Sequence, residues 1–271
     1  MGRMIRRRLG LMARSVLMGL GARGLVPVRR IVGTPEPSAV PVVMCLWNRP
    51  DRLEPVLDAI AAQRSDRPVR LMLWNNQRRD RARYVETLRR RSPEGALASV
   101  ELVQSPINIG GLARFYLLAR LRRTGFAGPV ILLDDDQDIA ETFVSELLDA
   151  ATPTSVRGVW AWKQGTGYWD RTPATGDDAT YVGTGGCVLD ASIVDDRRFF
   201  TALPLPYLYL EDIWMNSVAR RLGWTLGHVD AGYAFVDEEV GQHHALADAK
   251  AAFFAYLRSP ESDRAWAAAR R

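Results

Sequence analysis

Three consecutive carboxylates, Asp134, Asp135 and Asp136, follow the apolar run PVILL. Like charges crowded this closely repel one another, and a divalent cation removes that cost. Mg²⁺ and Mn²⁺ are hard ions that favour carboxylate oxygens and bridge phosphate oxygens, so a metal–diphosphate site is the chemistry this triplet suits. In an extended segment successive side chains point to opposite sides. Either Asp134 and Asp136 take the metal and Asp135 takes a sugar or ribose hydroxyl, or the roles are reversed. The reading without chemistry is a solvated acidic loop that caps the next helix.

Further along, Glu211-Asp212 follows LPLPYLYL and opens a helical pattern. A carboxylate at a helix N-terminus stays ionised next to the macrodipole, so the pair is either an N-cap or a catalytic couple. In the catalytic reading Asp212 is the general base toward an acceptor hydroxyl, and Glu211 binds the acceptor or orients the loop. His243 and His244 are two of three histidines in the chain. One of them can complete a carboxylate–metal–diphosphate site, with Gln242 as a further candidate, or both are surface or capping residues. Asn108-Ile109-Gly110-Gly111 allows close backbone approach before a helix N-terminus, a place that suits a phosphate, and Arg114 adds charge one turn in. Gly183-Thr184-Gly185-Gly186 lets a backbone approach a sugar, with Gly185 and Gly186 as the candidates. Trp162, with Trp160, Tyr168 and Trp169 nearby, can stack on an acceptor sugar or can be packing.

These residues need a frame to bring them together. Val40 to Leu46, Val69 to Trp74, Val100 to Val103 and Val130 to Leu133 are short continuous apolar runs, the pattern of strands buried on both faces. Helical patterns follow each of them, over residues 51–63, 79–91, 111–123 and 142–150. This alternation predicts an α/β fold with a mostly parallel sheet flanked by helices. In such sheets ligands sit outside the carboxyl ends of the strands. There the sequence has Asn48 and Arg49, then Asn75 and Asn76, then Asn108 and Gly110, then the aspartates. The second half is less regular, with one strand expected over 156–162, another over 181–189, a helix over 212–222 and a last helix over 245–257.

The length of 271 residues fits one domain of this kind. Eight arginines precede the first acid, Glu36, and without them the bases are fewer than the 31 acids. The net charge of +5 therefore comes from a basic leader on a mildly acidic domain, which argues against a nucleic-acid-binding fold. The expected division is a leader over 1–35, helical or disordered, a catalytic domain over 36–258 and a tail over 259–271. The leader has no apolar stretch long enough to span a membrane, and Arg14 interrupts the run a signal peptide needs. It suits peripheral contact with an anionic membrane, or it is a disordered tail or a misplaced start. Cys45 and Cys187 lie in apolar stretches and are expected as buried thiols in a reducing cytoplasm rather than as a disulfide.

Taken together, these motifs resemble the GT-A glycosyltransferases from about Val40 to about Leu257. VVMCLWNRPDRLEPVLDAI resembles the opening strand and helix of the family-two type, LMLWNNQ its second strand, and NIGG the segment ahead of the metal motif. LLDDDQDI resembles the DXD motif, carried by Asp134 and Asp136, VGTGGCVL the glycine-rich acceptor-side segment, and LEDIWMNSVARRLGW the Glu-Asp motif. Exostosin-type and galactofuranosyltransferase-like features are also present, in LWNN, EDIWMN and the DDD run. The resemblance implies a Rossmann-like GT-A fold and an Mn²⁺- or Mg²⁺-dependent transfer from a nucleoside-diphosphate sugar, UDP-linked as first choice, to a hydroxyl acceptor, and the basic leader points to a cell-envelope glycan or glycolipid as that acceptor. It implies donor contacts from Asn48, Arg49, Asn75, Asn76, Asn108, Gly110, Arg114, Asp134 and Asp135, and metal ligation by Asp134, Asp136, His243 and His244. Inversion with Asp212 as base is expected ahead of retention. The competing classes are a nucleotidyltransferase, which the first turn WNRPDR argues against, and an inactive sugar-binding module. A cytoplasmic protein, peripheral at the inner face of the membrane, is the expected setting.

Overall fold

The computed structural model describes residues 14–236 and 246–269. Residues 14–21 form a helix, α1, whose Gly21 lies so close to the Tyr116 ring that a Cβ would sit 2.5 Å from it. The strands are β1 (Arg29–Gly33), β2 (Val40–Leu46), β3 (Val69–Asn75), β4 (Leu97–Gln104), β5 (Pro129–Asp134), β6 (Gln137–Ile139), β7 (Ser155–Gly158), β8 (Ala161–Gln164), β9 (Arg171–Pro173), β10 (Tyr181–Val182), β11 (Cys187–Asp190), β12 (Thr225–His228) and β13 (Tyr233–Phe235). The further helices are α2 (Leu53–Ala61), α3 (Arg81–Arg89), α4 (Leu112–Arg123), α5 (Phe143–Asp149), α6 (Arg198–Thr201), α7 (Glu211–Arg221), α8 (Ala247–Leu257) and α9 (Pro260–Ala268).

The central sheet has the order β1-β4-β3-β2-β5-β11-β7-β12. β4, β3, β2 and β5 are mutually parallel, and β1 and β11 run against their neighbours. Apolar side chains cover both faces. Val43, Met72, Trp74, Val130 and Leu132 face the core that holds α4, α7 and α8. Val42, Met44, Leu71, Leu73, Ile131 and Leu133 face the core that holds α2, α3 and α5. Residues alternate between the two cores, and both cores are apolar, so these strands read as unbroken hydrophobic runs. The expected α/β architecture with a mostly parallel sheet and flanking helices is the one observed.

Four local expectations change. The strand expected over 156–162 is two strands, because the chain bends at residues 159–160 and passes from the main sheet into the small sheet β10-β8-β9. The strand expected over 181–189 is also two, broken by the glycine turn, where Gly186 adopts φ +82°. β1 comes from the expected leader and pairs with the β4 edge. The expected tail holds α9, capped by Ser259 and packed through Trp266 onto Trp214, with ring centroids 5.9 Å apart. Cys45 and Cys187 are free thiols. No helix among the described residues is long and apolar enough to cross a membrane.

Candidate active site

From β2 the chain adds β3 and β4 on one side of the sheet, then crosses to β5 on the other. The crevice at such a reversal, beyond the strand ends, is where a parallel sheet accepts ligands. Here it is closed at the base by Asp135. The Trp47 N–H donates to its Oδ2 at 3.2 Å, and Arg49 Nη1 reaches its Oδ1 at 3.1 Å. Burial pushes the Asp135 carboxyl up to about 7, with Asp134 and Asp136 adding to the rise and Arg49 and the Trp47 N–H opposing it. Asp135 thus ties the β2 loop to the β5 loop, while Asp134 and Asp136 also border the neighbouring chamber, which Asp135 does not. Arg49 also approaches Asp136 at 3.3 Å. Burial and then the Asp134 charge raise the Asp136 carboxyl above its ordinary value, and its Oδ1 is buried without a hydrogen-bond partner.

Arg114, on the first turn of α4, does not present a free cation to the cleft. Its guanidinium pairs with Asp134, with Glu211 Oε1 at 3.0 Å and with the Thr184 hydroxyl at 2.9 Å, and the residue is buried. A planar fork suits this role because it can satisfy two carboxylates at once. Glycines make the approach possible. A Cβ on Gly111 would lie 1.7 Å from Glu211 Oε1, and one on Gly185 would lie 2.5 Å from Asp134 Oδ2. Burial lifts the Glu211 carboxyl to about 7; Arg114 opposes the rise, and Asp212 and Asp134 add to it.

Asp212 takes a different position on the same helix end. Its Oδ1 accepts from the Ile213 N–H at 2.8 Å, and its Oδ2 accepts from the Tyr181 hydroxyl. The Tyr181 ring packs edge-on against Tyr168, with centroids 5.9 Å apart. Asn216, one turn further along α7, holds the assembly together. Its Nδ2 donates to the carbonyls of Val182 at 2.8 Å and Asp212 at 2.7 Å, and its Oδ1 accepts from the Val182 N–H at 2.8 Å.

The asparagines divide into two groups. Asn76 pins the NIGG turn, donating to the Gly110 carbonyl at 3.0 Å and accepting from the Ile109 N–H at 3.2 Å. Asn108 accepts from the Gly110 N–H at 2.8 Å, and Gly110 adopts φ +66°. Asn76, Asn108 and Gly110 all line the cleft. Asn75 and Asn48 do not. Asn75 is fully buried and donates to Gln104 at 2.7 Å, because it is still a paired residue of the sheet rather than the first one beyond it. Asn48 sits at φ +58°, where asparagine is better tolerated than most side chains, and its oxygen accepts from Gln77 and Arg79. Both hold loops in place through these hydrogen bonds.

The cleft has two chambers. One, of 280 Å³, is lined by the β2 loop, the NIGG turn and the aspartates. The other, of 490 Å³, is lined by the glycine turn, Trp160, Tyr168, Trp169 and Arg171. Arg49, Asp134, Asp136, Thr184, Asp212 and Lys250 border both. Gly185 lines the second chamber, but Gly186 and Trp162 do not. Gly186 is buried; its N–H donates to the Leu132 carbonyl and its own carbonyl accepts from the Val159 N–H. Trp162 stands behind Trp160, in edge contact at 5.0 Å, with the Arg171 guanidinium over its ring at 4.6 Å. Of the aromatics singled out in the sequence, Trp160, Tyr168 and Trp169 line this chamber. The sequence reading missed Lys250 and Arg171. A signal was present for Lys250, which is one of two lysines in a chain that otherwise uses arginine for its 36 bases.

His243 and His244 lie outside the described residues. Among the described residues no group of three or more metal-ligating side chains is gathered. A Mg²⁺- or Mn²⁺-type site needs only one or two carboxylates when substrate phosphates complete it. Asp134 and Asp136 fit that requirement, since both border the cleft and Asp136 carries a buried, unpartnered oxygen.

No protein-family model and no curated protein matches the chain. Solved structures do match it. S. aureus TarS 1-349 in complex with UDP-GlcNAc aligns with TM-score 0.50 at 15% identity, over 76% of this chain and 60% of that one. The same protein in complex with UDP gives TM-score 0.51 at 15% identity, over 85% and 70%. The mannosyltransferase PcManGT from Pyrobaculum calidifontis, in complex with GDP-Man and Mn²⁺, gives TM-score 0.50 at 14% identity, over 96% and 82%. At these identities the likeness is one of fold, and the fold is the GT-A arrangement that the sequence motifs implied.

Proposed function

We propose that this chain is a metal-dependent glycosyltransferase that moves a sugar from a nucleoside-diphosphate donor to a hydroxyl acceptor with inversion. The observation that carries the proposal is the shared border of the two chambers, which Asp134 at the end of β5, Asp136 in the turn after it and Asp212 from α7 all line. The donor class is supported by neighbours of the same fold bound to UDP-GlcNAc, to UDP, and to GDP-Man with Mn²⁺. A UDP-sugar is the first choice, and a cell-envelope glycan or glycolipid is the acceptor class. The arginine-rich leader favours peripheral contact with the anionic inner face of a membrane.

In this reading the smaller chamber takes the nucleotide, with Asn76, Asn108 and Gly110 shaping its wall. Asp134 and Asp136, with a histidine at 243 or 244, would hold the cation, which supplies Lewis-acid charge to the departing diphosphate. Asp212 accepts the proton of the acceptor hydroxyl as its oxygen bonds to the anomeric carbon. The bond from that carbon to the phosphate oxygen breaks, and its electron pair leaves on the diphosphate. Tyr181 and the Ile213 N–H hold the Asp212 carboxylate in place by donating to it. Glu211 is engaged by Arg114, which disfavours it as a nucleophile and so favours inversion over a double displacement.

The test is thermal stabilisation and donor hydrolysis with a panel of nucleoside diphosphates and their sugars. A rise in Tm with at least one nucleoside diphosphate, dependent on Mn²⁺, is expected. No shift with any of them would overturn the enzyme reading in favour of a sugar-binding module.

A further inference from the structure

The larger chamber holds two cations that the transfer chemistry does not use. Arg171, the first residue of β9, places its guanidinium 5.3 Å from the Trp169 ring centre and 6.0 Å from that of Tyr168. Lys250, on the first turn of α8, places its ammonium 5.8 Å from the same Tyr168 ring. The two therefore flank one buried aromatic side chain from separate elements. Among the described residues neither is ion-paired; their partners are aromatic faces. The carboxylates of the same chamber are otherwise engaged, Asp134 by Arg114, Asp136 by Arg49 and Asp212 by Tyr181.

A half-buried cation held over aromatic rings has lost part of its hydration without gaining a counter-charge. It gains most from an anion that can make charge-assisted hydrogen bonds. Trp169, 50% exposed, adds a flat apolar face beside Arg171, the surface on which a sugar ring or polyol chain packs. Tyr168 packs edge-on against Tyr181 at 5.9 Å, and the Tyr181 hydroxyl donates to Asp212, so the two cations lie in the chamber that the candidate base also borders.

We propose that Arg171 and Lys250 form an acceptor subsite for an anionic carbohydrate, a sugar or polyol carrying a phosphate or carboxylate next to its reacting hydroxyl. This rests on the glycosyltransferase reading and narrows its acceptor. Arg171 borders only the larger chamber, whereas Lys250 borders both, so Arg171 is the specific reporter.

The test uses the full chain with Mn²⁺ and saturating UDP or GDP, whichever stabilises it, so that the donor half is filled. Binding of glucose 6-phosphate, glucuronate and glucose is then measured by calorimetry. The two anions are expected to bind more tightly than glucose. Arg171→Gln is expected to weaken anion binding about tenfold, the worth of one charge-assisted hydrogen bond, and to leave nucleotide affinity unchanged. Preference for glucose 6-phosphate over glucuronate would assign phosphate, and the reverse order carboxylate. Equal binding of glucose and the anions, or an Arg171→Gln variant that binds anions normally, would overturn the subsite. Equal losses of nucleotide and anion affinity would also overturn it, by assigning the cation to the donor diphosphate. Lys250→Gln is expected to weaken anion binding too, and Arg171→Lys to restore part of it. Loss of all nucleotide response in the wild type would instead strike the glycosyltransferase reading; the anion preference is then read without nucleotide.

Discussion

The two halves of the cleft are built in different ways. The half proposed for the donor is framed by backbone: four parallel strands, an asparagine-pinned turn and glycines that let loops touch carboxylates. The half proposed for the acceptor is framed by side chains: a tyrosine pair, Asn216, and tryptophans interleaved with cations. Backbone frames tolerate sequence change as long as the pattern holds, whereas a side-chain frame depends on each residue type. The contrast teaches where specificity resides. On the proposed function, the first half would take the nucleoside-diphosphate donor and the second half would select the acceptor.

The sharpest way to break this division is at Asp212, one of the residues that border both chambers. Asp212→Asn is expected to lower kcat by about 10²- to 10⁴-fold, the usual contribution of a positioned general base. Nucleotide affinity, read by the Mn²⁺-dependent Tm rise, should stay as in the wild type; a loss of both would place Asp212 in the donor half. A middle-sized effect is expected at Asn216. Asn216→Ala strips partners from the buried N–H and carbonyl of Val182, at a cost of about 2 kcal/mol, which lowers Tm by about 5 °C for a chain of this size. Activity should fall more than nucleotide affinity, because β10 and Asp212 lose their shared anchor.

The smallest effect is one of pH. Burial holds the Glu211 carboxyl at about 7 against its ordinary 4.5. A raised carboxyl stabilises the fold while it is protonated, so its contribution is fully present below about 4.5 and is lost as pH rises through 7. Without added metal, Tm should decline across that window, and Glu211→Gln should make the decline shallower, the remainder belonging to Asp135, whose carboxyl burial also raises to about 7. An unchanged slope would mean that Arg114 neutralises Glu211 throughout.

How much of this was legible in the sequence follows the same contrast. Val40 to Leu46 was readable with its bounds because both faces of the strand are covered and the apolar run is unbroken. The aspartate triplet was readable because charge crowding is a local property. The place of Asn75 was not readable because a strand's last residue and the first residue past it look alike in sequence; only its pairing with Gln104 separates them. Strands of two or three residues, such as β9 and β10, are too short to show a period. Trp160 and Trp162 appeared interchangeable, and the bend at 159–160 decides which one meets the cleft. Arg171 and Lys250 come from distant elements, and only the packing of α8 against the small sheet's loop brings them to one ring.

Arg114 has a consequence for anyone wishing to recombine such proteins. It belongs to the first half by sequence, yet it holds Asp134 from β5 and Glu211 from α7 at once. A chimera that joins this donor half to another acceptor half must inherit the arginine, the glutamate and Gly111 as a set. Otherwise it leaves a stranded charge or a steric clash at the seam, and the two halves are not modular at this point however separable their tasks are.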